Sequence, residues 1–80
     1  MPRDDLLQRV VVESGRCGAR PCIRGTRIDI SIILDSLVEG LDTAEIIREY
    51  PVLQPDDVKA AIVYAAELAR ENTWKLPTGS

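Results

Sequence analysis

The 80-residue sequence predicts a mainly helical single domain, in which a short N-terminal β segment is followed by three helices, the last being the longest. Three features predict this fold class. Three stretches of the C-terminal part combine helix-start residues with apolar residues at helical spacing. A run of β-branched valines precedes them. Glycine, proline and arginine residues are concentrated between the two parts, as is typical of a turn.

The N-terminal part, about residues 7–30, is predicted to be a β and turn segment. We expect Met1 to Asp5 to be a frayed start. Val10-Val11-Val12 favours a strand, and Arg27-Ile28 is a candidate for a short second strand. Because a two-stranded ribbon is barely stable alone, these strands should pair with another copy or pack on the helices.

Capping residues mark the first two helices. Ser31 or Asp29 can cap the first helix, and Gly40 stands where a left-handed C-terminal cap belongs. Asp42 caps the second helix, and Glu45 three residues later completes a capping box.

The third helix is predicted to begin with Gln54 as its cap and Pro55 at its first position, and to run to about Asn72. The three helices therefore occupy residues 31–72, and 73–80 is predicted to be a flexible tail. Residues of the third helix that fall on one apolar face are Val58, Ala61, Ile62, Ala65, Leu68 and Ala69.

The composition argues against an enzyme and against a cofactor. The chain has no histidine and only two cysteines, too few for a four-ligand zinc site. No glycine-rich loop has the spacing of a phosphate cradle. The pair Asp56-Asp57 could suggest a metal, but carboxylates at the start of a helix complement its dipole, and we favour that explanation.

No apolar run is long enough for a membrane span. Residues 1–8 are polar and charged, so we expect no signal peptide and a cytoplasmic protein. Both cysteines are then expected as reduced thiols. Cys17 and Cys22 could pair across a tight turn if the geometry allowed it, and Cys22 alone is best explained as a small core residue.

The segment Gly18–Ile28, here called the basic turn, is the main candidate for a binding site. Residues 1–28 carry six basic and three acidic side chains, a balance of +3, whereas residues 29–80 carry four and ten, a balance of −6. This asymmetry suggests a basic contact surface on an acidic body, or else solvated helix faces beside an arginine-rich turn. Candidate contact residues are Arg16, Arg20, Arg24, Thr26 and Arg27; turn-shaping residues are Gly18, Pro21 and Gly25. Of these, Thr26 is better explained, together with Gly25, as shaping the turn.

The sequence resembles a bacterial family, the domain of unknown function 433. The resemblance covers roughly residues 10–68. It is carried by the basic turn, by the helix end Leu37-Val38-Glu39-Gly40-Leu41, by Ile46-Ile47-Arg48-Glu49-Tyr50-Pro51 with Leu53, and by Asp57-Val58-Lys59-Ala60-Ala61 with Tyr64-Ala65. Two residue pairs depart from the usual family pattern. Ala19-Arg20 is found where the family commonly has Gly-Lys, and Asp29-Ile30 is found where it commonly has Pro-Val. Asp29 could cap the first helix or pair with Arg27.

The resemblance implies a homeodomain-like helix-turn-helix unit behind the β segment. It also implies an antitoxin of a type II toxin–antitoxin system, which would bind and neutralise a PIN-like ribonuclease toxin and could bind its own operator DNA, as a homodimer. The alternatives are a stand-alone DNA-binding regulator and a small dimeric interaction module without a nucleic-acid role.

The acidic start of the predicted third helix argues against DNA binding by the helix-turn-helix unit. If the second and third helices formed the helix-turn-helix pair, the DNA-reading end would carry Asp56 and Asp57, opposed only by Lys59. Nucleic-acid contact would then fall to the arginines of the basic turn, presented twice in a dimer. Arginine also binds carboxylates, so the same side chains could meet an acidic nuclease centre.

Overall fold

A computed structural model describes residues 3–12 and 20–71. The part of the chain that it describes is mainly helical, with one small antiparallel sheet, as predicted. The elements in chain order are α1 (Arg3–Leu7), β1 (Val10–Val11), β2 (Cys22–Ile23), α2 (Ile30–Val38), α3 (Thr43–Glu49) and α4 (Pro55–Glu71).

The helix α1 corrects the expectation of a frayed start for Arg3 to Asp5, whereas Met1 and Pro2 lie outside the described residues. It is only five residues long, too short to be stable alone. Tertiary contacts stabilise it, because Leu6 is buried in the core and the Arg3 guanidinium binds Glu67 of α4 with Nε and Oε2 2.7 Å apart. The local signal for α1 is weak: Asp4 and Asp5 in its first turn complement the helix dipole, but no Ser, Thr, Asp or Asn precedes Arg3 as a cap.

The sheet pairs β1 with β2, with Val10 opposite Ile23 and Val11 opposite Cys22. Val10 and Val11 of the valine run therefore form a strand, but the prediction of a short second strand at Arg27-Ile28 is wrong. The second strand lies earlier because the chain reverses between Ile23 and Ile28, where Ile23 N donates to Ile28 O at 3.1 Å. Cys22 also forms an isolated bridge with Asp29, so the turn folds back on β2.

Both predicted caps around α2 are present. The Asp29 carboxylate accepts a hydrogen bond from Ser31 N at 2.9 Å, so Asp29 is the N-cap and α2 begins at Ile30. Gly40 has φ +96°, with Gly40 N donating to Leu37 O and Leu41 N to Ser36 O. These two bonds are the Schellman arrangement, which satisfies carbonyls that a helix end leaves open.

The starts of α3 and α4 also agree with the predictions made from the sequence. Asp42 and Glu45 form the predicted capping box, with each side chain accepting from the other residue's backbone N–H at 2.8 and 3.0 Å. Pro55 is the first residue of α4, where its missing N–H costs no helical hydrogen bond. The residues from 72 onward, including the predicted tail, lie outside the described part of the chain.

The core is a single apolar cluster beneath the N-terminal half of α4. Its fully buried members are Leu6, Ile23, Ile30, Ile33, Ile46, Leu53, Val58, Ala60 and Ala61. The predicted apolar face of α4 is thus only partly correct, because Ile62 and Leu68 are exposed whereas Ala60 is buried. Helical spacing defines a stripe, but the neighbouring helices decide which edge of that stripe is covered.

No helix in residues 3–12 and 20–71 has both the length and the apolar character needed to cross a membrane.

Candidate binding site

The described part of the basic turn is held by its own hydrogen bonds. Thr26 Oγ1 donates to Ile23 O at 2.8 Å and accepts from Ile28 N at 3.0 Å. Thr26 N also donates to Ile23 O at 3.0 Å. Gly25 adopts φ +79°, a left-handed conformation that side chains disfavour. The Thr26 hydroxyl is therefore used inside the turn, in agreement with the turn-shaping explanation.

Arg24 fastens the turn to the chain segment after α1. Its Nε and Nη2 donate to the Gln8 carbonyl oxygen at 2.9 and 2.7 Å, and its backbone N donates to Arg9 O at 2.7 Å. The planar guanidinium fork is thus bound to one carbonyl. Arg24 remains exposed, but its orientation is set by the fold.

Arg20 lies at the mouth of an apolar groove between α2 and α4. Its side chain is 72% exposed, and its Nε is 3.6 Å from Asp29 Oδ2. Asp29 thus caps α2 and pairs with Arg20, rather than with Arg27 as one sequence-based interpretation suggested. An ion pair with one partner this exposed is weak, so Arg20 can change partner at little cost.

Arg27 is the unpaired cation of the described basic turn. It is exposed, and its guanidinium makes no hydrogen bond or ion pair with any residue in 3–12 and 20–71. It follows Thr26, whose two side-chain bonds fix the backbone from which it projects. Arg16 and Gly18 lie outside the described residues, and Pro21 is half-buried beside β2.

The structure adds a charged cluster that the sequence did not indicate. Arg9, between α1 and β1, reaches the start of α4. Its Nη1 is 3.0 Å from Asp57 Oδ1, its Nη2 is 3.7 Å from Asp56 Oδ2, and Nη1 is also 3.4 Å from Gln54 Oε1. No local pattern could have revealed this pairing, because Arg9 and Asp57 are 48 positions apart.

Asp57 is buried, and both its oxygens are occupied. Oδ1 accepts from Arg9, and Oδ2 accepts from Gln54 N at 2.8 Å, which satisfies one open N–H at the helix start. A carboxylate held in this way supports the preference for a helix-start role over a metal site. In residues 3–12 and 20–71, no three histidine, cysteine, aspartate or glutamate side chains are grouped closely enough to bind a metal.

Cys22 is fully buried between the turn and the core. Its Sγ lies 3.9 Å from Thr26 O, which is a weak hydrogen-bond distance for sulfur. The residue fills space beneath the turn, as its sequence context predicted. Cys17, the other half of the possible pair, lies outside the described residues.

These features define a class of protein: a small helical domain that carries an arginine-rich turn on a two-stranded ribbon. The sequence profile of the family described as "Protein of unknown function (DUF433)" matches residues 10–65. The chain belongs to this DUF433 family.

A solved structure supports the same assignment. The chain is similar to the crystal structure, at 2.00 Å resolution, of a DUF433 member protein from Anabaena variabilis, with a TM-score of 0.72 and 28% sequence identity. The similarity covers 85% of this chain and 68% of that one. No curated protein sequence matches this chain.

Proposed function

We propose that this protein is an antitoxin of a type II toxin–antitoxin system that binds and neutralises a PIN-like ribonuclease toxin, in the cytoplasm and as a homodimer. The observation that carries the proposal is the exposed Arg27 guanidinium on a hydrogen-bonded turn, without an internal partner in residues 3–12 and 20–71. A guanidinium that projects from a hydrogen-bonded turn, and that makes no hydrogen bond or ion pair with the described residues, is suited to bind a carboxylate of another protein. Because the turn is already ordered, binding would cost little conformational entropy.

Arg27 is a better contact residue than Arg24. The Arg24 fork is bound to Gln8 O, so using it on a partner would break two internal hydrogen bonds. Arg20 would have to release only a 3.6 Å contact with Asp29. We therefore assign the main contact with the acidic nuclease centre to Arg27 and a supporting contact to Arg20.

The test is inhibition of the nuclease encoded by the adjacent gene, after copurification with this chain. We expect Arg27→Ala to weaken binding by about 10- to 100-fold, the loss of one or two charge-assisted hydrogen bonds. Arg27→Lys should recover only part of that loss because an ammonium lacks the planar fork. Arg48→Ala is the matched control, because Arg48 is also exposed and its guanidinium makes no hydrogen bond or ion pair with the residues in 3–12 and 20–71.

The proposal fails if the adjacent gene product does not copurify with this chain. It also fails if Arg27→Ala and Arg48→Ala inhibit the nuclease equally well. Arg24→Ala is informative as a third variant. It should reduce thermal stability as well as inhibition, because it releases the turn from Gln8.

A second candidate function is operator binding by the same protein. Arg9 lies near both Asp56 and Asp57, so the acidic start of α4 is partly neutralised and repels phosphate less than the sequence alone suggested. Binding to a duplex from the promoter of its own gene should weaken steeply with salt. Arg9→Gln should reduce it further, whereas retention of the nuclease without any duplex binding would leave only the inhibitory role.

A further inference from the structure

The two-stranded sheet has one covered edge and one open edge. The outer edge of β2 is covered by the segment that follows it, since Ile23 N donates to Ile28 O at 3.1 Å. The outer edge of β1 has no such cover among residues 3–12 and 20–71, where no hydrogen bond reaches the backbone of Val10 or Val12. β1 is therefore the strand of the described sheet to which a further strand can be added.

The hydrogen bonds between the two strands fix which groups of β1 point outward. Arg24 N donates to Arg9 O at 2.7 Å, so these two residues form a hydrogen-bonded pair of the antiparallel ladder. Such pairs alternate with non-hydrogen-bonded pairs, so the next hydrogen-bonded pair is Val11 with Cys22. The N–H and C=O groups of Val10 consequently point away from β2, toward the open edge.

The residues of this open edge carry none of the features that discourage strand pairing. Proteins protect free edges with charged side chains, proline or bulges. Val10, Val11 and Val12 are instead uncharged and β-branched, and Val12 is 57% exposed. A sheet of two short strands is also barely stable alone, and three or more strands are usually needed. Both observations indicate that β1 pairs with a further strand.

We propose that the outer edge of β1 pairs antiparallel with β1 of a second copy of this chain, about a two-fold axis at Val11. This interface deepens the homodimer of the proposed function and rests on it. In this register Val10 exchanges backbone hydrogen bonds with the partner's Val12 on both sides of the axis, and the two copies of Val11 form the non-hydrogen-bonded pair at the centre. The two sheets become one sheet in the order β2-β1-β1-β2.

The side chains favour a second copy as the occupant of this edge. Side chains alternate along a strand, so Val12 lies on the same face as Val10 when the pairing continues β1 by one residue. Val10 packs against the core. In the dimer the exposed Val12 therefore packs beside the partner's Val10, at the rim of the partner's core. The two-fold axis covers both copies of Val12 at once, and the basic turn, which adjoins the other edge of β2, stays outside the interface.

The first test measures self-association of the isolated chain, without the nuclease, by analytical ultracentrifugation. We expect a dimer whose dissociation constant rises at least about 10-fold in Val12→Lys, because an ammonium group then lies against the apolar partner strand. Val52→Lys is the matched control and should leave the dissociation constant unchanged. Val52 is 59% exposed and lies in the connection between α3 and α4, away from the sheet.

A cysteine at the two-fold axis tests the register directly. The α-carbons of the two copies of Val11 should lie about 4.5 Å apart, within the range that a disulfide spans. Val11→Cys, combined with Cys17→Ser, should form a covalent dimer on mild oxidation. Val52→Cys in the same background should remain a monomer in denaturing electrophoresis without reductant.

The proposal is overturned if the unmodified chain is a monomer. It is also overturned if Val12→Lys leaves the dimer unweakened and Val11→Cys does not cross-link. Where the two variants disagree, or where Val12→Lys loses helicity, the cross-link decides: its formation supports the register, and its absence rejects it. A chain that binds the nuclease but fails these tests rejects this interface alone, whereas a cross-linked dimer that does not bind the nuclease rejects only the inhibitory role.

Discussion

The Asp57 carboxylate joins two distant parts of the chain. It binds Arg9 through Oδ1 and the Gln54 N–H through Oδ2, and it is buried beneath them. The carboxylate of its neighbour Asp56 lies farther from Arg9, with Oδ2 3.7 Å from Nη2, and its side chain is 31% exposed. Two adjacent aspartates at the start of one helix therefore have different roles, and burial is the cause.

We expect Asp57→Ala to lower the free energy of unfolding by about 2–3 kcal/mol, because it removes a charge-assisted hydrogen bond and leaves the Gln54 N–H without its acceptor. Asp56→Ala is the matched control and should cost less than about 1 kcal/mol, because its 3.7 Å contact with Arg9 is long and remains accessible to solvent. Urea denaturation of both variants measures the difference. Equal losses would contradict the separate roles assigned to the two carboxylates.

Glu67 is a second charged residue whose environment changes its titration. The hydrogen bond from Arg3, at 2.7 Å, holds the pKa of Glu67 below its usual value, and Arg70, at 2.8 Å, acts in the same direction. Since the folded-state pKa is lowered, the stabilisation is present above the ordinary glutamate pKa and is lost as the pH falls through the lowered value.

We expect Arg3→Gln to return the pKa of Glu67 toward its ordinary range, because the hydrogen bond from Arg3 is the main cause of the shift. Arg70→Gln should raise it less. Titration of the Glu67 carboxyl carbon by NMR in the three proteins measures both changes. An unchanged pKa in Arg3→Gln would show that α1 does not hold its position against α4 in solution.

At the scale of the elements, the turn between β2 and α2 depends on one hydroxyl. Thr26 closes the turn in both directions, as donor to Ile23 O and as acceptor from Ile28 N. The Asp29 cap then starts α2 three residues later. Turn and helix start are consecutive, so a disturbance of Thr26 would change the position of Arg27 as well.

We expect Thr26→Val to reduce the free energy of unfolding by about 1–2 kcal/mol, since the shape is kept while two hydrogen bonds are lost. Thr26→Ser, which retains the hydroxyl, should cost much less. Denaturant unfolding gives these values, and amide hydrogen exchange at Ile28 reports the local effect. Unchanged protection of Ile28 N–H in Thr26→Val would disprove the structural role of this hydroxyl.

Across the whole molecule, α1 acts as the cover of a small core. It contacts α4 more extensively than any other element does, it buries Leu6, and the Gln8 carbonyl behind it holds Arg24. The free energy of unfolding of a small domain is low, so we expect the packing of α1 to contribute a large share of it.

We therefore expect Leu6→Ala to lower the free energy of unfolding by about 2–5 kcal/mol through the lost burial and the cavity left behind. The half-buried Leu7, changed to alanine on the same helix, should cost less. Thermal and urea denaturation compare the two variants. Similar losses for both would mean that α1 does not insert Leu6 into the core.

The sequence was enough to locate the candidate site, but it could not distinguish the roles of the individual residues in that site. Arginine density and the Gly-Thr pair pointed to the basic turn. Only the hydrogen bonds separate its members, since Arg24 binds Gln8, Arg20 pairs with Asp29 and Arg27 binds no described residue. Density alone cannot make this distinction, because side-chain partners come from segments far away in the chain.

The sequence by itself determined the features whose causes are local. The caps at Asp29 and Asp42, the left-handed Gly40, and Pro55 at the start of α4 each depend on atoms within a few residues. The tertiary structure alone decided the features that depend on long-range packing. These are the helix α1, the choice of Cys22–Ile23 as partner strand, the burial of Ala60 rather than Ile62, and the Arg9–Asp57 ion pair. Short elements and buried charges are stable only when residues far away in the chain cover or neutralise them. The spacing of residues along the sequence does not reveal these long-range contacts.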